Sequence, residues 1–568
     1  MGVKHFFIWL RKHFPEAIQE LQHNQKVTAP IDNLCIDMNG VFHPCAQQVY
    51  EYGDHKRIFK SLLRPKKKRN TTLKQQLQVF QKLCDRIEYY KNLTNPRKRI
   101  ILCIDGVAGS AKMSQQRQRR FKSAKEKDDD MIFDPNCMTP GTAFMDYLSK
   151  YVDWYIRGKI SYDESWKDLE IILSSEKVAG EGEHKIISYM RKYGEPYETY
   201  CIQGLDADLI MLGLGSNVDQ LYILRENVYK NKGFFFVDIK VLREKLVKYM
   251  RWENKEVTFR TENVINDFIF LCFFVGNDFV PTIPTLAILE GGIDVLLDVY
   301  KTVCNEYGHL TGRKRNGIIT FKLKSFKFFL GALAGYEKGL VVEKANKRES
   351  FFPDPLINKN LIQDGNKYDI NYDKYVQDYY DKKFGEGVNR HKICHEYLYG
   401  MQWVITYYKQ GIPDWKWHYQ HSYGPFIQDL CDSLSTFKSK DFDLHEPVSP
   451  FEQLLSVLPP SSKKLIPSPL SNLLEDTSPI KKFYPDEFEI DISGKRREWE
   501  GIVLLPMVDL EELHTYYLKY IGGVALRDAK RNVQGKSFIY RKGYKSYFFK
   551  SFYGNIPRCC IRLNDIDL

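Results

Sequence analysis

A chain of 568 residues with 43% hydrophobic and 14% aromatic side chains buries a large core and is too apolar to be intrinsically disordered. Lysine and arginine outnumber aspartate and glutamate by 84 to 72, a net charge of +12 that suits a polyanionic partner as well as plain solubility. The 12 cysteines are scattered without a Cys-x-x-Cys pair, the start Met1-Gly2-Val3-Lys4-His5-Phe6 lacks a secretory pattern, and the longest apolar run is Phe268–Gly276, so structural zinc, a disulfide framework and a membrane span are not expected.

From residue 1 to about 320, short apolar runs alternate with helical periodicity, which predicts a doubly wound α/β domain with a mainly parallel sheet. Leu34-Cys35-Ile36 is one such run and ends at Asp37. The basic cluster Pro65-Lys66-Lys67-Lys68-Arg69 reads as a solvated loop. Ile100–Ile104 ends at Asp105, and the segment that follows opens a helix carrying Lys112, Gln116, Arg119 and Arg120 at spacings of four, three and one. Those four share a helix face, and their cations, with forked guanidinium hydrogen bonds, make a pocket for a terminal phosphate. Asp128-Asp129-Asp130 reads as solvated surface, because helical neighbours diverge by about 100° and do not face one ion.

Further on, Gly180-Glu181-Gly182-Glu183-His184-Lys185 sets two carboxylates two residues apart, and Tyr200-Cys201-Ile202 leads to Asp206 and Asp208 at the same spacing. In extended backbone such neighbours point the same way, so each pair could grip a metal. Asp278 follows the run Phe268–Gly276, where a lone carboxylate is costly unless it caps a turn; Asp267 reads as structural. Residues 321–385 read as a variable connecting region with an extended linker at Phe351–Tyr372. Residues 386–510 read as a second, helical and irregular region that wraps the first, rich in Pro and Ser between Pro447 and Pro485. Residues 511–568 read as a tail without an assigned role.

Seven carboxylates, Asp37, Asp105, Glu181, Glu183, Asp206, Asp208 and Asp278, thus stand mostly just past strand-like runs. Ligands bind beyond the carboxyl ends of strands in open α/β sheets, and crowded anions repel one another unless hard cations neutralise them. Two magnesium ions, with manganese as the alternative, are the expected cofactors.

These motifs, in this order, resemble the eukaryotic 5′→3′ exoribonucleases of the XRN/Rat class. The resemblance runs over about residues 1–510 and is carried by Met1-Gly2-Val3, Asp37-Met38-Asn39-Gly40 with His43, Asp105–Phe121, Thr139-Pro140-Gly141, Gly180–Lys185, Leu205-Asp206-Ala207-Asp208 and Gly276–Pro281. Downstream, Gln402-Trp403, Tyr407-Tyr408, Trp415-Lys416-Trp417, Tyr423-Gly424-Pro425-Phe426 and Pro450–Leu455 continue it. It implies a nuclease fold of the PIN or flap-nuclease kind, and processive digestion of single-stranded RNA from a 5′-monophosphate to nucleoside 5′-monophosphates. It also implies a metal site of all seven carboxylates, assisted by Lys112. Lys112, Gln116, Arg119 and Arg120 match the 5′-phosphate pocket, closed to a cap or triphosphate. His43 matches the residue that stacks on the first base, with Trp417 as its partner and Trp415 as the alternative. The setting implied is RNA decay in the cytoplasm, the nucleus being the alternative, without a membrane. Departures are Lys4, Gly109-Ser110, a short Ser123–Asp134, an insertion at Leu62–Phe80, and an expected lack of the long C-terminal extension. The rivals are a flap-type endonuclease, disfavoured because Phe279–Thr285 is no glycine-rich hairpin, and an inactive RNA-binding scaffold.

Overall fold

Runs buried on both faces become the central strands of the sheet. In the computed structural model, which describes residues 5–53, 72–126, 133–227, 233–314, 317–347 and 352–568, the N-terminal strands are β1 (Ile18–Leu21), β2 (Asn33–Asp37), β3 (Arg99–Cys103), β4 (Glu170–Ser174), β5 (Tyr200–Gln203), β6 (Leu221–Glu226) and β7 (Phe234–Asp238). The Lys66 cluster, Asp128–Asp130 and Met1-Gly2-Val3 lie outside the described residues. Strands β6, β5, β2, β3 and β4 are parallel neighbours, with Cys35 in register with Ile101 on one side and Ile202 on the other. Parallel sheets need cover on both faces, which is why Leu34, Cys35, Ile36 and Ile100–Ile104 are all buried. The far edge is antiparallel, β7 against β6 and β1 against β7.

Helices α1 (Phe6–His13), α2 (Met38–Tyr50), α3 (Leu73–Thr94), α4 (Ser110–Lys125), α5 (Ala143–Tyr162), α6 (Gly182–Tyr193), α7 (Asp208–Gly215), α8 (Ile239–Tyr249) and α9 (Thr261–Cys272) complete the domain. Apolar residues of α2, α3 and α5 form one core, with Phe42, Phe80 and Met145; those of α6 to α9 form the other, with Ile186, Ile210, Leu242 and Phe268. The expected doubly wound architecture is therefore present. Local signals set the boundaries: Thr72 and Gln75 close a reciprocal capping box at the start of α3.

The second region is more ordered than its composition announces. After α10 (Gly292–Tyr307), the hairpin of β8 (Thr311–Arg313) and β9 (Ile319–Phe321), and α11 (Leu323–Lys347), the supposed linker holds α12 (Pro355–Lys359) and a hairpin of β10 (Leu361–Asp364) and β11 (Lys367–Ile370). That hairpin is anchored by Ile370, which shares a core with Tyr375 and Tyr379 of α13 (Tyr372–Phe384). Helices α14 (Arg390–Gln410), α15 (Ile427–Leu434) and α16 (Pro450–Val457) follow, the last started by a Ser449–Glu452 capping box with Pro450 at the first position. Short 3-10 turns over Pro460–Leu465 and Leu470–Leu474 match the irregular stretch expected there.

Residues 511–568 are not a tail. After β12 (Glu489–Asp491), β13 (Ile502–Leu504), α17 (Leu510–Ile521) and α18 (Leu526–Ala529), strands β14 (Ser537–Phe549) and β15 (Ile556–Ile566) join the central sheet, β14 antiparallel to β4. Burial of Tyr540, Cys559 and Ile561 against α5 and β4 supplies the reason, hidden in the sequence by exposed aromatic and basic residues between them.

Candidate active site

The parallel strands end at one pole, and there the chain turns into helices. Asp37 is the N-cap of α2 and accepts from the Asn39 amide at 3.2 Å; Glu181 is the N-cap of α6 with Glu183 in its first turn; Asp208 is the first residue of α7. Helix N-termini favour anions through their exposed amides and dipole, so the fold itself draws these carboxylates to the pole. This corrects the extended-backbone reading of the two pairs: Glu183 and Asp208 are helical, and their direction comes from the helix start and not from strand alternation.

Close backbone approach fixes the geometry. A Cβ on Gly182 would lie 3.0 Å from Asp37 Oδ1 and 3.3 Å from Asp105 Oδ1, so only glycine lets α6 begin between those two carboxylates. The Gly182 amide donates to Asp105 Oδ1 at 2.6 Å. Asn39 holds Asp105 from the other side, donating through Nδ2 to Oδ2 at 2.8 Å and accepting from the Asp105 amide at 2.9 Å. Asn277 accepts the Phe279 and Val280 amides at 2.8 and 2.9 Å, so Asn277 caps the turn and leaves the Asp278 carboxylate for other work.

Lys112 reaches the cluster from α4. Its ammonium lies 2.5 Å from Glu181 Oε2 and 2.8 Å from Asp278 Oδ2, and Tyr407 of α14 donates its hydroxyl to Glu181 Oε1 at 2.8 Å. One ammonium does not neutralise so many anions. Burial first, then Asp105 and Asp206, push Asp37 well above the usual carboxylate range; burial and then Glu181 do the same to Glu183; Asp208 is pushed up to about 7 by burial and then Asp278. Buried carboxylates that oppose one another's ionisation are the donor set of a hard cation, so the residues fit a divalent metal. Among the described residues, no three His, Cys, Asp or Glu side chains are already gathered as a metal cage.

Beside this cluster, the four residues read as one helix face divide. Lys112 belongs to the carboxylates; Gln116 and Arg120 are buried, and Arg119 is exposed. Arg120 donates to Thr139 Oγ1, but its buried Nε has no hydrogen-bond partner among the described residues. Gln453 of α16 holds the start of the segment, accepting the Ala108 amide at 2.9 Å and donating to Gln116 at 3.4 Å. The charges of Arg119 and Arg120 act on His43, whose pKa falls to about 3 through burial first and those two guanidiniums next, which keeps its ring neutral. Trp417 is packed 4.9 Å from Trp403, while the carbonyl of Trp415 accepts the Ser110 amide at the start of α4 at 2.8 Å.

Several supports were not singled out from the sequence. Asn39, Tyr407 and Gln453 hold Asp105, Glu181 and Gln116, and Lys185 clamps the ends of β3 and β4 by donating to the carbonyls of Ile104 and Ser175 at 2.7 and 2.9 Å. All four sat inside the motifs already quoted, Asn39 and Lys185 as polar residues next to candidate ligands, Tyr407 and Gln453 in the downstream ones.

Two family models cover the chain: one described as "XRN 5'-3' exonuclease N-terminus" matches residues 1–227, and one described as "Xrn1 helical domain" matches residues 258–371 and 361–556. The chain belongs to the XRN 5'-3' exonuclease family. Relatives of this XRN chain include the 5'-3' exoribonuclease 2 homolog of Drosophila melanogaster, 29% identical over 97% of this chain and 74% of that protein. The human 5'-3' exoribonuclease 1 is 30% identical over 100% of this chain and 37% of its own length, and the Saccharomyces cerevisiae enzyme of that name is 28% identical over 95% and 44%. The XRN chain thus spans less than half of those two longer relatives. Among solved structures, the catalytic core of Rad2 with DNA aligns at 13% identity with a TM-score of 0.32, over 77% of this chain and 99% of that one. No helix among the described residues is long and apolar enough to cross a membrane.

Proposed function

We propose that this chain is a 5′→3′ exoribonuclease that removes nucleoside 5′-monophosphates processively from single-stranded RNA bearing a 5′-monophosphate. The observation that carries the reading is the juxtaposition of the buried carboxylate cluster with the basic side chains of α4, where one helix supplies Lys112 to the acids and Arg119 and Arg120 beside them. Asp37, Asp105, Glu181, Glu183, Asp206, Asp208 and Asp278 would hold two divalent cations, magnesium in the first instance. When bound, those cations supply Lewis-acid stabilisation of phosphodiester oxygens and activation of water.

The chain's own residues do the rest. Lys112, tied to Glu181 and Asp278, places a positive charge where the scissile phosphate meets the carboxylates. Arg119 and the unpartnered Nε of Arg120 offer donors to a terminal phosphate, with Gln116 between Lys112 and Arg119 on the same helix. An end bound there sets the register of cleavage, because the first phosphodiester then lies at a fixed reach from the acids. Tyr407 orients Glu181 through its hydroxyl. His43, neutral and next to the arginines, with Trp417 as its partner, would hold the first base by stacking, worth about 1–3 kcal/mol per base and indifferent to sequence.

The test is a time course on one RNA sequence, labelled at its 3′ end, carrying a 5′-monophosphate, a 5′-hydroxyl or a cap, with magnesium. The monophosphate is degraded to mononucleotides without intermediates and the other two persist; equal loss of all three removes the terminal-phosphate pocket from the account.

A further inference from the structure

The hairpin of β14 and β15 carries a surface that the catalytic reading does not use. Between Ser537 and Leu563 the sequence holds six basic residues, Arg541, Lys542, Lys545, Lys550, Arg558 and Arg562, and no acidic one. Two of the six have structural duties: Arg541 pairs with Glu170, and Lys542 donates to the carbonyls of Ile160 and Ser161. Lys545, Lys550, Arg558 and Arg562 are exposed. Interleaved with them along β14 and the turn are three large rings open to solvent, Tyr544 at 104%, Phe548 at 61% and Phe552 at 75% relative exposure. Exposed aromatics in this number mark an interaction surface, because a soluble chain gains nothing by wetting them.

The hairpin is firmly rooted. Tyr553 donates to the Tyr147 carbonyl at 2.9 Å, Trp154 donates to the Gly554 carbonyl at 2.9 Å, and Arg157 donates to the Tyr547 hydroxyl at 2.8 Å. These contacts run up α5 toward its beginning, so the tip meets the helix about 6 Å along its axis from the first residue. Helix α5 leads into β4, which is parallel to β2 and β3, and therefore starts at the pole where the carboxylates collect; the Ser149 hydroxyl bonded to Glu176, just past β4, fixes that direction. The loop before α5 contains Thr139, which holds Arg120, and Gly141, whose carbonyl accepts from Arg531 at 2.8 Å. The hairpin tip thus stands on the same pole as the basic helix, one helix away.

We infer that this hairpin is a second contact for single-stranded RNA, with Tyr544, Phe548 and Phe552 receiving bases and Lys545, Lys550, Arg558 and Arg562 receiving phosphates. Along β14 and the turn that follows it, Tyr544, Lys545, Phe548, Lys550 and Phe552 alternate ring and cation, a spacing suited to a polymer that brings a phosphate with every base, and base stacking on aromatics is sequence-tolerant. The choice of RNA as occupant rests on the exoribonuclease reading. Such a contact lies outside the acidic cluster and would retain the body of a substrate while its end is cut.

The test uses the whole chain, a 5′-hydroxyl oligouridylate of about 30 nucleotides and EDTA, so that binding is read without hydrolysis, by fluorescence anisotropy. Two variants are compared with wild type: Tyr544→Ala/Phe548→Ala/Phe552→Ala, and Lys545→Glu/Lys550→Glu, whose residues are exposed and whose melting curves serve as the folding control. Both are expected to bind at least about 10-fold more weakly, with a smaller salt slope for the charge variant, while hydrolysis of a 5′-phosphorylated RNA of about 6 nucleotides is unchanged. Wild-type affinity in both variants overturns the inference. So does intact RNA binding with loss of cosedimentation on phosphatidylserine vesicles, which would make the surface a membrane contact, or with a changed sedimentation coefficient, which would make it a contact between copies. Because the binding arm needs no cleavage, its failure leaves the exoribonuclease reading standing, and failure of end-dependent hydrolysis leaves the hairpin result intact.

Discussion

Asp267 and Asp278 are eleven positions apart and flank the same apolar stretch, the first fully buried and the second with its side chain 8% exposed, yet their surroundings differ in kind. Asp267 accepts from the Tyr300 hydroxyl at 2.8 Å, His309 Nδ1 at 2.9 Å, the Leu310 amide at 3.3 Å, and the Thr311 amide and hydroxyl at 2.8 and 2.6 Å. Asp278 receives the Lys112 ammonium at 2.8 Å and shares its space with Asp208, whose proton it holds on. A carboxylate that the fold wants as structure is surrounded by donors. One proposed for metal binding, such as Asp278, sits among other anions, and its counter-charge has to come from a cation. The contrast teaches that donor supply, more than burial, separates the two roles.

Breaking each side of that contrast gives opposite results. Asp208→Asn is expected to lower RNA hydrolysis by at least about 1,000-fold. Its thermal midpoint at pH 8 should hold or rise, because the ionised carboxylate is then no longer forced against Asp278. Asp267→Ala is expected to cost about 3–5 kcal/mol in urea unfolding, since Tyr300, His309 and Thr311 lose a shared acceptor, while any protein that folds keeps its metal-dependent hydrolysis. Tyr407→Phe removes one hydrogen bond to a charged group, and a fall in kcat of about 10-fold with little change in KM or melting is expected, the mark of a positioning residue.

The smallest effect lies at the opposite pole of the sheet, where Glu198 accepts from Arg99, Lys98 and Asn33. Burial pushes its pKa up, but those hydrogen bonds win and bring it from an ordinary 4.5 down to about 2. A carboxyl lowered on folding adds stability that is present above about pH 4.5 and is lost as pH falls through about 2. Glu198→Gln should therefore cost about 1–2 kcal/mol at pH 7 and nothing once the pH is well below about 2, read as a flatter acid-denaturation curve.

Much of the sheet was legible because strands buried on both faces leave uninterrupted apolar runs, as at Leu34–Ile36 and Ile100–Ile104, and each run ended at a carboxylate. Asp267 also read correctly as structural. The direction of Glu183 and Asp208 was not legible, since it depends on where a helix begins, and spacing of two fits a strand as well as a helix start. The contacts of Tyr407 and Gln453, though both stand in quoted motifs, were out of reach for another reason: they meet Glu181 and Gln116 from more than 200 residues away, and no local pattern encodes that encounter. In β14 the inward Tyr540 is chemically like the outward Tyr544 and Phe548, so alternation of polarity, the usual sign of a strand, is absent.

The most direct test of the central claim is a thermal melt of the wild-type protein and of Asp206→Asn/Asp208→Asn, each with EDTA and with millimolar magnesium or manganese. Binding to the folded state alone raises the midpoint, so the wild type should melt higher with the metal, and the double variant should melt at one temperature in both conditions. Equal midpoints for the wild type with and without metal, or an equal rise in the double variant, would contradict the assignment of the carboxylate cluster to cations.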